Sequence, residues 1–257
     1  MPINQQPMKF LLIAGLLTCS WLLPAQTKIE KTIPVQSGQK LEMSFDYPEL
    51  IKIHTWDKQE ILITGSVSIN RGENDDAFQL DIESKNGTVS VSSSLKDKDN
   101  IPHRTIIRRG DEEYYFKTGD YNDPAIQKFI DEHGKDYTYM SNGIIRDITL
   151  EIFVPKGMEN TINAKYGLVE ITDYNGPLVV NATYGGIDAS IQQPIAGELI
   201  ARTKFGEILT NLDVKFNSDG GFENHDHWTQ IHAKVGNGPR YDFESKFGKV
   251  YLRKAAK

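Results

Sequence analysis

The sequence predicts an all-β protein: a strand-rich N-terminal section with one short helix in an insertion, running into a single-stranded, β-helix-like solenoid in the C-terminal half. Two observations carry this. Apolar residues alternate with polar ones at period two along most of the chain, and a segment ending in aromatic-glycine recurs in its second half. The expected boundaries are a signal peptide over 1–26, an N-terminal β section over 27–94, a charged insertion over 95–143 and repeats over 144–257.

The first element is a leader. Phe10 to Ala25 reads FLLIAGLLTCSWLLPA behind Lys9, too short for the roughly twenty residues of a membrane-spanning helix. It reads instead as a signal peptide cleaved near Ala25 or Gln26, leaving no transmembrane helix in the mature chain. The single cysteine, Cys19, falls inside it, so stability rests on packing and ladder hydrogen bonds without a disulfide. Leu16-Leu17-Thr18-Cys19 resembles a lipidation box, but Thr18 and the apolar Trp21-Leu22-Leu23 suit a continuing export core better. The expectation is an exported protein: periplasmic, outer-membrane-associated or extracellular. The formal charge of −6 argues against a nucleic-acid partner, which needs a concentrated positive field.

From Thr27 to Ser94, Leu41, Met43 and Phe45 alternate with polar residues. Ile51 and Ile53 follow, then Ile61, Ile63, Val67 and Ile69 on one parity, each set marking a half-buried strand. Asn86-Gly87 joins two further runs and supplies the two positive-φ positions of a tight hairpin.

Leu95 to Gly143 breaks this rhythm with Arg104, Arg108 and Arg109, then Asp111-Glu112-Glu113, and the tyrosines Tyr114, Tyr115, Tyr121, Tyr137 and Tyr139. The arginines are expected to balance the acidic cluster across a hairpin. Asp123 as cap, Pro124 at the first position, Ile126, Phe129 and Ile130 on one face and Gly134 as terminator predict a helix. Its stripe must dock on a sheet, because ten residues are marginal alone. Arg104, Arg108, Arg109 and the five tyrosines form the candidate interaction surface, since tyrosine supplies rigid contact area with a polar handle.

Ile148, Leu150, Ile152 and Val154 restore the alternation, and five segments then superpose. They end at Tyr166-Gly167, Tyr184-Gly185, Phe205-Gly206, Val235-Gly236 and Phe247-Gly248, with glycines 18, 21, 30 and 12 residues apart. Units of this length stack into solenoids. The small residues Ala164, Ala182, Thr203 and Ser245 share parity with the aromatics, which predicts that the rings lie in the core, Tyr184 stacked near Phe205, and are not sugar platforms. The glycines are expected at corners that need positive φ. Val235 and the uneven spacing predict an irregular last coil, with Phe216 to Trp228 as its loop.

The Trp56-Asp57-Lys58 stretch, Val154-Pro155-Lys156-Gly157 and the Lys-Tyr-Gly and Lys-Phe-Gly units together resemble the putative adhesin family of β-strand-repeat proteins from bacterial envelopes. The resemblance implies a β-solenoid, an envelope location and an adhesin-like role; it brings no catalytic residues, and the insertion is not part of the pattern.

Chemistry is thinly supported. His225, His227 and His232 are the one concentration of metal-ligand types, but on a strand His232 faces away from the others and no cysteine helps, so a solvated loop is expected. Glu170 and Asp188 share a repeat position on an outward face, where two carboxylates without a third read as solvated. No motif calls for a cofactor, and catalytic residues, cofactor and metal are all expected to be absent. The leading function is a non-catalytic interaction protein of the envelope, with a surface glycan or envelope protein as partner. The alternatives are a carbohydrate-active enzyme and a structural or sensing protein working through a protein partner.

Overall fold

The computed structural model describes residues 26–214, 222–225 and 227–255; the expected leader lies outside them. The chain is predominantly β. Strands β1 (Thr27–Pro34), β2 (Lys40–Phe45), β3 (Leu50–Trp56) and β4 (Glu60–Ile69) are followed by the hairpin β5 (Phe78–Lys85) and β6 (Thr88–Leu95). That hairpin turns on Asn86 and Gly87 at φ 52° and 80°, the left-handed pair expected of them. Next come β7 (Arg104–Arg109), β8 (Glu112–Phe116), α1 (Pro124–His133), β9 (Tyr139–Gly143) and β10 (Arg146–Pro155). The remaining strands are β11 (Asn160–Ala164), β12 (Leu168–Ile171), β13 (Leu178–Ala182), β14 (Ile187–Ile191), β15 (Glu198–Thr203), β16 (Ile208–Thr210), β17 (Phe222–His225), β18 (Trp228–Lys234), β19 (Tyr241–Ser245) and β20 (Val250–Lys254).

Two large sheets share one core, and both mix parallel with antiparallel pairing without closing. One has the order β1-β4-β10-β3-β12-β14-β20-β16, the other β17-β18-β15-β19-β13-β11-β2-β6-β5. The alternation read from sequence decides which side chains meet. Met43, Ile53, Ile152, Ile162, Val180, Ile187 and Phe243 are all fully buried in one cluster drawn from both sheets.

Five strand pairs, β2-β3, β11-β12, β13-β14, β19-β20 and β15-β16, stack in parallel register, each contributing one strand to each sheet. Their order in space is not their order in sequence: the C-terminal pair β19-β20 lies between β13-β14 and β15-β16. The Val235-Gly236 segment departs from the repeat, because β18 runs antiparallel to β15, with Ile231 opposite Ala201. Twelve residues from Gly236 to Gly248 are too few for two strands and a return, and β18 instead lies between β15 and the edge strand β17. Part of the loop expected over Phe216 to Trp228 is strand, since β17 pairs with β18.

The insertion carries a third sheet, β8-β7-β9. Here α1 is capped as expected: the Asp123 carboxylate accepts the Ala125 amide at 2.8 Å, and Gly134 ends the helix at φ 73°. Its stripe docks on this small sheet, not on the large ones, and forms a separate core of Ile107, Ile126 and Phe129 flanked by Tyr114, Phe116 and Ile130.

Candidate functional site

The repeat aromatics are not core. Tyr166, Tyr184, Phe205 and Phe247 are 49, 54, 55 and 44% exposed. The strands end at Ala164, Ala182, Thr203 and Ser245, two residues before each ring, so the alternation stops before it would carry the rings inside. The rings form an external ladder at the corner of the stacked pairs: Tyr166 on Tyr184 at 5.3 Å, Tyr184 on Phe247 at 5.2 Å and Phe247 on Phe205 at 5.2 Å. Tyr184 therefore meets Phe247 where Phe205 was expected, because β19-β20 intervenes. His227 stacks on Phe205 at 5.9 Å. The inner rings are sandwiched and present their edges, while Tyr166 at the end has a ring neighbour on one face only.

Beneath the ladder the glycines form a column whose reason is close approach. None of Gly167, Gly185, Gly206 and Gly248 has positive φ, contrary to expectation. A Cβ at Gly185 would sit 1.9 Å from the Gly167 carbonyl oxygen, and one at Gly206 1.9 Å from that of Gly248. Buried hydroxyls lock the same corner: Ser245 Oγ donates to the Gly185 carbonyl at 2.8 Å and Thr203 Oγ1 to that of Gly248 at 3.0 Å.

The insertion is fastened to the frame by a residue that sequence reasoning passed over. Asn70, fully buried at φ 51°, donates its amide to the Pro102 carbonyl at 2.9 Å and to Asn74 at 2.7 Å. Its Oδ1 accepts the Ile145 amide at 3.1 Å, and its carbonyl accepts the Tyr115 hydroxyl at 3.2 Å. One side chain thus ties down both roots of the insertion. An Asn directly before Arg71-Gly72, after an apolar strand, was the available signal, since Asn tolerates the left-handed turn.

This anchoring divides the predicted interaction residues. Arg104 is bound to Glu73 at 2.8 Å, and together with Lys117 it holds the Glu73 carboxyl below its ordinary value. Arg71 lies over the Tyr115 ring, and Tyr114 packs on Phe129 at 4.5 Å. Arg108 and Arg109 stand opposite Glu113 and Glu112 across the hairpin, with Arg108 bonded to Glu113 at 2.8 Å. Tyr121 and Tyr139 remain exposed, and the fold gathers them with Tyr137, which also packs against the α1 core. With Asn122, Gln127 and Lys135 they line a groove of about 500 Å³ between α1 and β9.

The two carboxylates that share a repeat position are each paired with a cation. Glu170 and Asp188 are neighbours in register, but Lys52 faces Glu170 at 3.9 Å and Arg253 grips Asp188 through two bonds of 2.6 and 2.8 Å. His232 contacts Glu198 at 2.8 Å, and the side chain of His225 lies outside the described residues. Among the described residues no three His, Cys, Asp or Glu converge, and no helix is long and apolar enough to cross a membrane.

No protein-family model and no curated protein matches the chain. A crystal structure of a putative cell adhesion protein from Clostridium sporogenes is similar over 90% of this chain and 100% of its own, at 10% identity and a TM-score of 0.47. That of a putative adhesin from Bacteroides fragilis is similar over 89% and 98%, at 9% identity and a TM-score of 0.24. Likeness at this level carries no functional assignment, which must come from the geometry.

Proposed function

We propose that this is an exported, non-catalytic interaction protein of the cell envelope, in which a short solenoid-like frame displays the insertion as its binding element. The observation that carries this reading is the groove lined by Tyr121, Tyr137 and Tyr139 on a unit with its own small core. Segments outside a stacked frame escape the packing constraints of their neighbours and are where binding residues concentrate. An enzyme built on Glu170 and Asp188 is disfavoured, because Arg253 occupies both oxygens of Asp188 and Lys52 faces Glu170.

The test is excision. Arg104 and Gly143 are paired across β7 and β9, so a short glycine-serine turn can replace 104–143 without stretching the frame. The excised protein should unfold cooperatively and lose binding to intact bacterial cells. Undiminished binding by a folded excision variant would overturn the proposal.

A further inference from the structure

The groove also has a definite chemistry. It lies within the roughly 300–1,000 Å³ range of small-ligand sites, and none of its lining residues is acidic, Lys135 being its one charge. The carboxylates nearby serve the fold: Asp123 caps α1, and Asp120 accepts the Asn122 amide at 2.9 Å.

One of its rings and the loop that carries another are held in advance. Tyr139 is 48% exposed, and the Arg108 guanidinium covers its ring at 5.6 Å while itself held by Glu113 at 2.8 Å. Tyr121 is 40% exposed, and its carbonyl accepts Gln127 Nε2 at 2.7 Å, which pins the loop to the helix. Binding to such rings loses little conformational entropy. Around them stand neutral hydrogen-bonding groups: the Asn122 amide and the tyrosine hydroxyls, which both donate and accept, and the Thr138 hydroxyl, which donates to the Arg108 carbonyl and can still accept. Exposed rings for apolar C–H surfaces, set among neutral bifunctional hydrogen-bonding groups, complement a sugar's two kinds of surface.

Resting on the proposed role of the groove, we infer that its ligand is an uncharged saccharide. A polyanion would find a single lysine in the lining, and a cation would find no carboxylate there. The inner rings of the aromatic ladder do not compete as a sugar platform, because their faces are already stacked.

The experiment screens the full chain without its leader against immobilised neutral oligosaccharides of glucose, galactose and N-acetylglucosamine, with polyuronate and polyphosphate as charged comparators, and follows hits by titration calorimetry. Tyr139→Ala and Tyr121→Ala should each weaken binding at least tenfold; Tyr139→Phe, which keeps the ring, and Lys135→Ala should change it less than threefold. Near-UV and unfolding measurements establish that each variant is folded. Binding only to the polyanions, with loss in Lys135→Ala, would overturn the saccharide assignment. So would failure to bind any neutral glycan while excision of 104–143 still abolishes cell binding, an outcome that leaves the interaction role intact and indicates a different ligand class. Neutral-glycan binding that survives excision would refute both.

Discussion

Replacing Phe247 by alanine measures what the external ladder contributes. Phe247 is 44% exposed, so a little over half of the roughly 200 Å² that an aromatic ring brings is covered. At about 25 cal/mol per Å² that burial contributes about 2–3 kcal/mol. Its stacks on Tyr184 and Phe205 add ~0.5–1.5 kcal/mol each, and the retained Cβ offsets part of the loss. Phe247→Ala should therefore destabilise by about 3–4 kcal/mol in urea unfolding, with an unchanged slope. Tyr166→Ala, at a ladder end with one ring neighbour, should cost about 1 kcal/mol less. A double-mutant cycle between Tyr184 and Phe247 should give a coupling of ~0.5–1.5 kcal/mol. A loss for Phe247→Ala below about 1 kcal/mol, with no coupling, would show that these rings are independent surface residues and would refute the ladder as a structural element.

Three further outcomes follow. Gly185→Ala should cost more than about 3 kcal/mol, because the new Cβ meets backbone that cannot swing aside; Gly38→Ala, at φ 84° with open space around it, should cost only about 1–2 kcal/mol, and the reverse ranking in melting experiments would return the corner to a dihedral explanation. Ending the chain at Arg240 removes β19-β20 from inside both sheets, so β15-β16 should lose protection along with the deleted pair, whereas hydrogen exchange showing β15 intact would contradict the observed strand order. Burial pushes Tyr241 up to about 12, and Tyr174 is raised by the same cause; an acid whose pKa is raised by folding stabilises fully below its unfolded value near 10 and loses that contribution as pH climbs toward the folded value. Stability should therefore fall between pH 10 and 12, with these two phenols ionising only as the chain unfolds; early ionisation at 295 nm would contradict their burial.

Much of this was legible in sequence, because local rules decided it. Asn86-Gly87 dictates its turn, Asp123-Pro124 opens the helix and Gly134 closes it, and the alternation from Leu41 to Ile69 and again from Ile148 to Val154 marks the buried face strand by strand. The equivalence of Tyr166, Tyr184, Phe205 and Phe247 was also visible. Their exposure was not, since period two says nothing about where a strand stops, and a one-residue change of direction reverses the face. The insertion of β19-β20 between earlier pairs is a long-range choice with little local trace; the short spacing from Gly236 to Gly248 signalled only an irregularity. In the insertion, composition marked eight candidate residues without separating struts from groove. That separation depends on Glu73, Glu113 and above all Asn70, residues outside the tyrosine-arginine pattern.

Amide hydrogen exchange of residues 26–257, with and without a bound cell-surface extract, decides whether the frame supports and the insertion binds. The account predicts new protection confined to the groove segments around Tyr121–Gln127 and Lys135–Met140, with the corners at Tyr166, Tyr184, Phe205 and Phe247 unchanged. Protection along those corners, with the groove unaffected, would contradict it.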